Sequence, residues 1–118
     1  MNKSKPDHFV GYFDQKRTQK KYEFWAINDI YHIINDKYHR EDGPAYISYY
    51  INGNVRQKIY YINGKRHRED GPAYIYYYKN VNICREEYWL NGESYSKEEY
   101  LRLTSPQNKI KALLHEQK

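Results

Sequence analysis

Apolar and polar positions along this chain alternate in short runs rather than recurring at helical spacing. Ala45 to Ile51, Val55 to Ile62, Ala73 to Lys79 and Ile83 to Leu90 are β-branched and aromatic stretches, the composition that suits a pleated surface. They are punctuated by Asn52-Gly53, Asn63-Gly64 and Asn91-Gly92. Asn-Gly tolerates the positive φ of a tight hairpin turn, so each predicts a reversal between antiparallel strands. Upstream, His8 to Tyr12 and Tyr22 to Asn28 read as two irregular strands around a basic loop, Asp14 to Lys21. Downstream the period changes. Ser96-Lys97-Glu98-Glu99 is a capping box that opens a short helix through Leu103. Ser105-Pro106 reads as the N-cap and first residue of a second helix, with Ile110, Leu113 and Leu114 on one side. The helical end is expected to cover a sheet edge that would otherwise invite aggregation.

The strands belong to a repeat. His39-Arg40-Glu41-Asp42-Gly43-Pro44-Ala45-Tyr46-Ile47 recurs unchanged from His67 to Ile75, an offset of 28 residues. The register continues: Tyr60-Tyr61-Ile62-Asn63-Gly64 matches Tyr88-Trp89-Leu90-Asn91-Gly92, and Ile34 to Lys37 stands where Ile62 to Lys65 stands later. Glu41-Asp42-Gly43-Pro44 and its copy supply a second turn per unit. The expected fold is mainly β: an antiparallel β-hairpin repeat meander forming an elongated, twisted sheet, with a short C-terminal helical cap. A single domain over 1–118 is expected, with a basic N-terminal arm and irregular strands over 1–30, hairpin repeats over 31–95 and the cap over 96–118.

The unit Tyr-Tyr-Ile-Asn-Gly-Lys-x-His-Arg-Glu-Asp-Gly-Pro-Ala resembles the MORN-like hairpin repeats of small proteins of tailed phages and giant DNA viruses. The resemblance spans about residues 31–103 and includes the closing segment around Tyr88-Trp89-Leu90-Asn91-Gly92. It implies an array of antiparallel hairpins and a role in scaffolding, dimerisation or binding of another protein. The period here is longer than in ordinary MORN units and Trp stands only at 25 and 89, so the lipid association known for the wider class does not carry over.

Composition adjusts this picture in three ways. The 118 residues include 16 Tyr, a side chain that covers apolar area while its hydroxyl stays wet. A thin sheet solvated on its faces therefore explains the tyrosines before any binding role does. The net charge of +5 divides into +4 over residues 1–21, +2 over 105–118 and −1 over 22–104, so the repeats are neutral and the ends basic. Finally, no run approaches a membrane span, the N-terminus has no apolar signal-peptide core, and a single cysteine, Cys84, excludes an internal disulfide. An intracellular, cytoplasmic protein is expected.

His-Arg-Glu-Asp holds a base, a cation and two carboxylates, yet it appears twice in one register, whereas an active site is one asymmetric constellation. The structural reading pairs Arg40 and Arg68 with a carboxylate across the hairpin, lets Asp42 and Asp70 brace the turn, and has His39 and His67 fill its start. No metal-ligand spacing, nucleophile elbow or phosphate-cradling loop is present; Cys84, on a strand, reads as a buried, inert thiol. Neither a cofactor nor a metal is expected, nor an enzyme. The leading expectation is a protein-interaction module, a small phage or viral protein that binds a host or defence protein. Its candidate contacts are Tyr49, Tyr60, Tyr77, Arg40, Arg68, His39 and His67. The rival expectation is single-stranded nucleic acid, held by a Tyr-rich sheet and by Lys16, Arg17, Lys20 and Lys21 on phosphates. A homodimer paired through a sheet edge is compatible with both.

Overall fold

The computed structural model describes residues 5–27, 37–107 and 110. Strands β1 (Asp7–Tyr12), β2 (Lys20–Ile27), β3 (Lys37–Tyr38), β4 (Tyr46–Tyr49), β5 (Val55–Ile59), β8 (Tyr74–Tyr77), β9 (Ile83–Leu90) and β10 (Glu93–Tyr95) form one antiparallel sheet in the order β1-β2-β4-β5-β8-β9-β10, with β3 paired to β2. Two further strands, β6 (Tyr61–Ile62) and β7 (Lys65–Arg66), make a separate ribbon. Helix α1 (Lys97–Leu103) follows. The expected meander of hairpins with a short helical cap is what forms. The sheet stays open and the molecule is only 18 Å across its thinnest axis.

The expected run Val55 to Ile62 is broken at Tyr60. Its N–H donates to Ala73 O and its carbonyl accepts from His67 N, so the chain leaves the main sheet there and starts its own ribbon. Ile83–Leu90, in the same register, stays continuous as expected. Ser96 accepts from Glu99 N as an N-cap, and α1 ends at Leu103 as the sequence implied. Pro106, Gln107 and Ile110 are helical as well, while Leu113, Leu114 and Ile34 to Asp36 lie outside the described residues.

The pairing registers reveal a third copy of the unit. Tyr49 pairs Val55 and Tyr77 pairs Ile83, each with an irregularity that leaves Arg56 and Cys84 as the extra residues; Tyr12 pairs Lys20 in the same way, leaving Lys21. The ribbon pairs Tyr61↔Arg66 and Ile62↔Lys65 match Trp89↔Ser94 and Leu90↔Glu93, and also Ala26↔Tyr38 and Ile27↔Lys37. The described strands over 7–27 and 37–38 thus pair in the same registers as the two later hairpins. The likeness is hidden in the sequence because the loop 13–19 is longer than 50–54.

These registers place side chains in rows. Phe9, Phe24, Tyr46, Ile59, Tyr74 and Glu87 run directly across the sheet on one face. The rings on this side pack on one another and on Tyr38: Phe9–Phe24 at 4.9 Å, Phe24–Tyr38 at 5.4 Å, Tyr38–Tyr46 at 6.0 Å. Such cross-strand pairs contribute roughly 0.2–1 kcal/mol each. The opposite face carries Val10, Glu23, Ile47, Lys58, Ile75 and Glu86, alternately apolar and charged. In the sheet, full burial among the described apolar residues is limited to small or central positions such as Ala45, Ala73, Ile59 and Ile75; outside it, Tyr100 of α1 is buried. The tyrosine rows thus make up the sheet's apolar fabric.

The turns follow their residues. Asn63-Gly64 and Asn91-Gly92 have φ of 50° and 80°, and 50° and 82°, the doubly positive pair of a type I′ hairpin. Asn52-Gly53 differs: only Gly53 is positive, at 89°, in a longer loop closed by Tyr50 N to Asn54 O at 2.9 Å. The sister loop is closed identically by Tyr78 N to Asn82 O at 2.8 Å, yet Val81 occupies the Gly53 position with φ 69°. A β-branched side chain there is strained by about 1 kcal/mol or more. Val81→Gly is expected to raise stability by about 1 kcal/mol in denaturant unfolding; no gain would mean the loop relaxes the strain.

Candidate functional site

The duplicated motif closes two connections between hairpins, residues 39–44 and 67–72, and it does so with the same bonds. His39 N donates to Trp25 O at 3.0 Å and His67 N to Tyr60 O at 3.1 Å. Arg40 N donates to Tyr61 O and Arg68 N to Trp89 O, both at 3.2 Å. Each imidazole then accepts a turn amide: Asn63 N donates to His39 Nδ1 at 2.9 Å and Asn91 N to His67 Nδ1 at 3.0 Å. An accepting Nδ1 places the ring proton on Nε2. That nitrogen lies 3.6 Å from Glu41 in the first copy and 3.7 Å from Glu69 in the second.

The arginines close the loops from within. Arg40 Nε donates to Asp42 Oδ1 at 3.0 Å and its Nη1 to Pro44 O at 3.2 Å; Arg68 repeats this with Asp70 at 3.0 Å and Pro72 O at 3.1 Å. The expected pairing across the hairpin is therefore corrected: each guanidinium meets the carboxylate two residues on, in its own loop. Each also lies over a ring, Arg40 at 3.7 Å from the Trp25 centroid and Arg68 at 4.0 Å from Tyr60. A Cβ on Gly43 or Gly71 would stand 3.1 or 3.0 Å from the guanidinium carbon. A side chain there would press on the guanidinium, and neither glycine has a positive φ.

The third unit replaces the loop by α1. Tyr88 stands in the register of Trp25 and Tyr60, and Tyr100 from the helix covers it at 4.8 Å between centroids. The Tyr100 hydroxyl accepts from Gly71 N at 3.2 Å and donates to Arg68 O; the residue is 2% exposed. The helix thus latches the second motif loop. Trp25, Tyr88 and Tyr100 are the site residues that sequence reasoning passed over. Trp25 precedes its motif by 14 residues, Tyr60 by 7, so the 28-residue offset does not align them.

The remaining candidates fall into two groups. Tyr49 donates to Glu23, which is also held by His8 Nε2 at 2.7 Å and Lys20 Nζ at 3.4 Å. Burial alone would push the Glu23 carboxyl up; the bonds from Tyr49 and His8 and the charge of Lys20 outweigh it and hold it below its ordinary value. Burial first, and then that carboxylate, push the Tyr49 hydroxyl well up. Tyr77 packs under Lys58 at 5.8 Å and its carbonyl accepts from Tyr50. Lys16, Arg17, Lys20 and Lys21 fall on and beside the β1–β2 loop, which is organised by Asp14 accepting from Thr18 N at 3.0 Å and Gln19 N at 3.0 Å. Lys20 is engaged by Glu23 and Lys21 lies 5.9 Å over Phe13, which leaves Lys16 and Arg17 directed to solvent by exposure.

Cys84 is exposed, not buried. It is the extra residue of the β9 irregularity, next to β8 on one side and, among the described residues, with no strand on the other. Among the described residues no three His, Cys, Asp or Glu gather at metal-binding distance, and no helix of the described residues is long and apolar enough to cross a membrane. Comparison with protein-family models, curated proteins and solved structures returns no match, so geometry alone carries the reading of these loops.

Two outcomes follow. His67→Ala leaves the Asn91 amide without its acceptor and is expected to cost about 1–3 kcal/mol of stability, His39→Ala the same or more because His39 is the more buried; a loss under a few tenths would remove the imidazoles from the account. Glu23, favoured as the carboxylate in the folded state, contributes stability above the ordinary carboxylate pKa that is lost as pH falls through its lowered value. Glu23→Gln is expected to destabilise at neutral pH and to flatten the acid limb of a stability–pH profile.

Proposed function

We propose that this protein is a non-enzymatic interaction module that binds another protein. One observation carries the reading: the His and Arg side chains of the duplicated motif, which most resemble catalytic groups among the described residues, are in both copies already engaged by the fold. Each Nδ1 holds a turn amide and each guanidinium holds its own loop, so neither imidazole is free to act as a base through that nitrogen. What faces outward is a crest of carboxylates, Glu41, Asp42, Glu69 and Asp70, at side-chain exposures from 63% to 88%. Beside them lie grooves lined by the Arg40–Trp25 and Arg68–Tyr60 stacks. Aromatic and arginine side chains beside a polar, charged rim are enriched in protein interfaces.

The resemblance of the repeat to viral hairpin arrays supports a host protein as the partner, bound inside the host cell, with inhibition of a defence protein as one consequence. A second reading, single-stranded nucleic acid, draws on the exposed Lys16 and Arg17 in a loop next to Phe13, itself 41% exposed. Affinity purification of the intact chain from host lysate, with and without nuclease, separates the two. A single stoichiometric protein retained after nuclease and at high salt is the expected result. Recovery that vanishes with nuclease or falls steeply with salt would transfer the function to nucleic acid.

A further inference from the structure

Each hairpin presents its second strand to the next hairpin in one register. Glu23 of β2 pairs Ile47 of β4, and Lys58 of β5 pairs Ile75 of β8. The incoming strands begin the same way, Ala45-Tyr46-Ile47 and Ala73-Tyr74-Ile75, and both alanines are 0% exposed. In the third unit Glu86 of β9 stands in the register of Glu23 and Lys58, but among the described residues no strand pairs it on the outer side. The chain turns into α1, and β10 covers only Tyr88–Leu90. Among the described residues Ile83–Glu87 has no strand on its outer side. A cleft of about 450 Å³ lies there, lined by Arg85, Glu86, Tyr88, Ser94, Tyr95 and Lys97 among others. It occupies the place that Ala45-Tyr46 and Ala73-Tyr74 fill in the first two units.

The approach to this edge is apolar and strained. Val81 is 59% exposed, Ile83 51% and Tyr78 54%. Val81 sits at φ 69°, where the sister loop has Gly53. Its side chain therefore opposes the local backbone conformation and gains little burial within the chain. Strain of this kind, kept where stability does not reward it, points to a contact outside the molecule. Arg85 and Glu86 on the same edge deter indiscriminate pairing.

We infer that the open edge of β9 over Ile83–Glu87, with Val81 beside it, receives an extended antiparallel strand of the partner protein. The strand carries a small residue followed by alternating aromatic and aliphatic side chains. This rests on the protein-binding reading above and names its surface. Strand addition supplies main-chain hydrogen bonds for affinity, and the cleft selects alternate side chains. The two strands already held this way inside the chain define the recognised pattern, and the interface continues the sheet's own strand-to-strand packing.

The test uses the full chain and a synthetic peptide of residues 43–50, Gly-Pro-Ala-Tyr-Ile-Ser-Tyr-Tyr, followed by amide NMR. Saturable shifts concentrated at Ile83–Glu87 are expected. Ile83→Asp should weaken binding by about tenfold or more, and Val81→Gly by about fivefold while leaving the fold intact. Because the peptide stands in for the partner, this result is independent of whether lysate capture succeeds. Shifts elsewhere, no saturation, or full affinity in both variants would overturn the inference. So would a concentration-dependent dimer in sedimentation that competes with the peptide, which would give the edge to a second copy. Binding that appears only after deletion of residues 108–118 would give it to the chain's own end.

Discussion

Every unit of this molecule depends on how the connection between hairpins is closed. A sheet one layer thick has few positions to bury, so hairpins must be fixed to one another by something other than a deep core. Here an imidazole accepts the amide of an Asn-Gly turn from the same unit's ribbon, and an arginine folds its loop around a carboxylate and a proline carbonyl while lying over a ring. These bonds join three places in the sequence at once: the motif, the following turn 24 residues on, and the aromatic end of the strand before. The identical nonapeptides are thus a structural requirement. His, Arg and Asp each have a specific bond within the fold, and Gly keeps the space beside the guanidinium open.

The third unit shows the same constraint met differently. With no third motif, Tyr100 takes the arginine's place over Tyr88 and its hydroxyl ties two backbone groups of the preceding loop. The helix therefore ends the array by substituting for a loop. The expected cover of the sheet edge is only partial, since α1 and β10 reach the Tyr88 end of β9 and Ile83–Glu86 stays exposed. The protein is consequently asymmetric: a latched row of loops along one end of its strands, and an unfilled strand position at one side of its sheet.

Much of this was legible in the residues. The nonapeptide repeat, the Asn-Gly turns, the capping box and the tyrosine rows specify an antiparallel meander because each is a local signal with a local cause. The first hairpin was not legible as a repeat. Its loops differ in length, His8 stands where Ala45 and Ala73 stand, and Gly11 replaces Ser48 and Tyr76 because the Tyr22 ring occupies the space a Cβ would need. The arginine partners are hidden for a related reason. Each guanidinium turns back within its own loop, to the carboxylate two residues on and a proline carbonyl, while lying over a ring from another hairpin, which spacing does not disclose. Cys84, on a strand beside Ile83, reads as buried from its position alone; the irregularity at that position, and the lack among the described residues of a strand on the outer side of β9 there, leave it exposed.

The account turns on imidazole rings serving as acceptors within the fold. The long-range ¹⁵N–¹H spectrum of the histidine side chains tests it directly. His39 and His67 should both show the tautomer with the proton on Nε2 and Nδ1 accepting, with a hydrogen-bond coupling from Nδ1 to the Asn63 and Asn91 amides. A proton on Nδ1, or averaged ring signals like those of a solvated imidazole, would contradict it and return the motif to the candidates for chemistry.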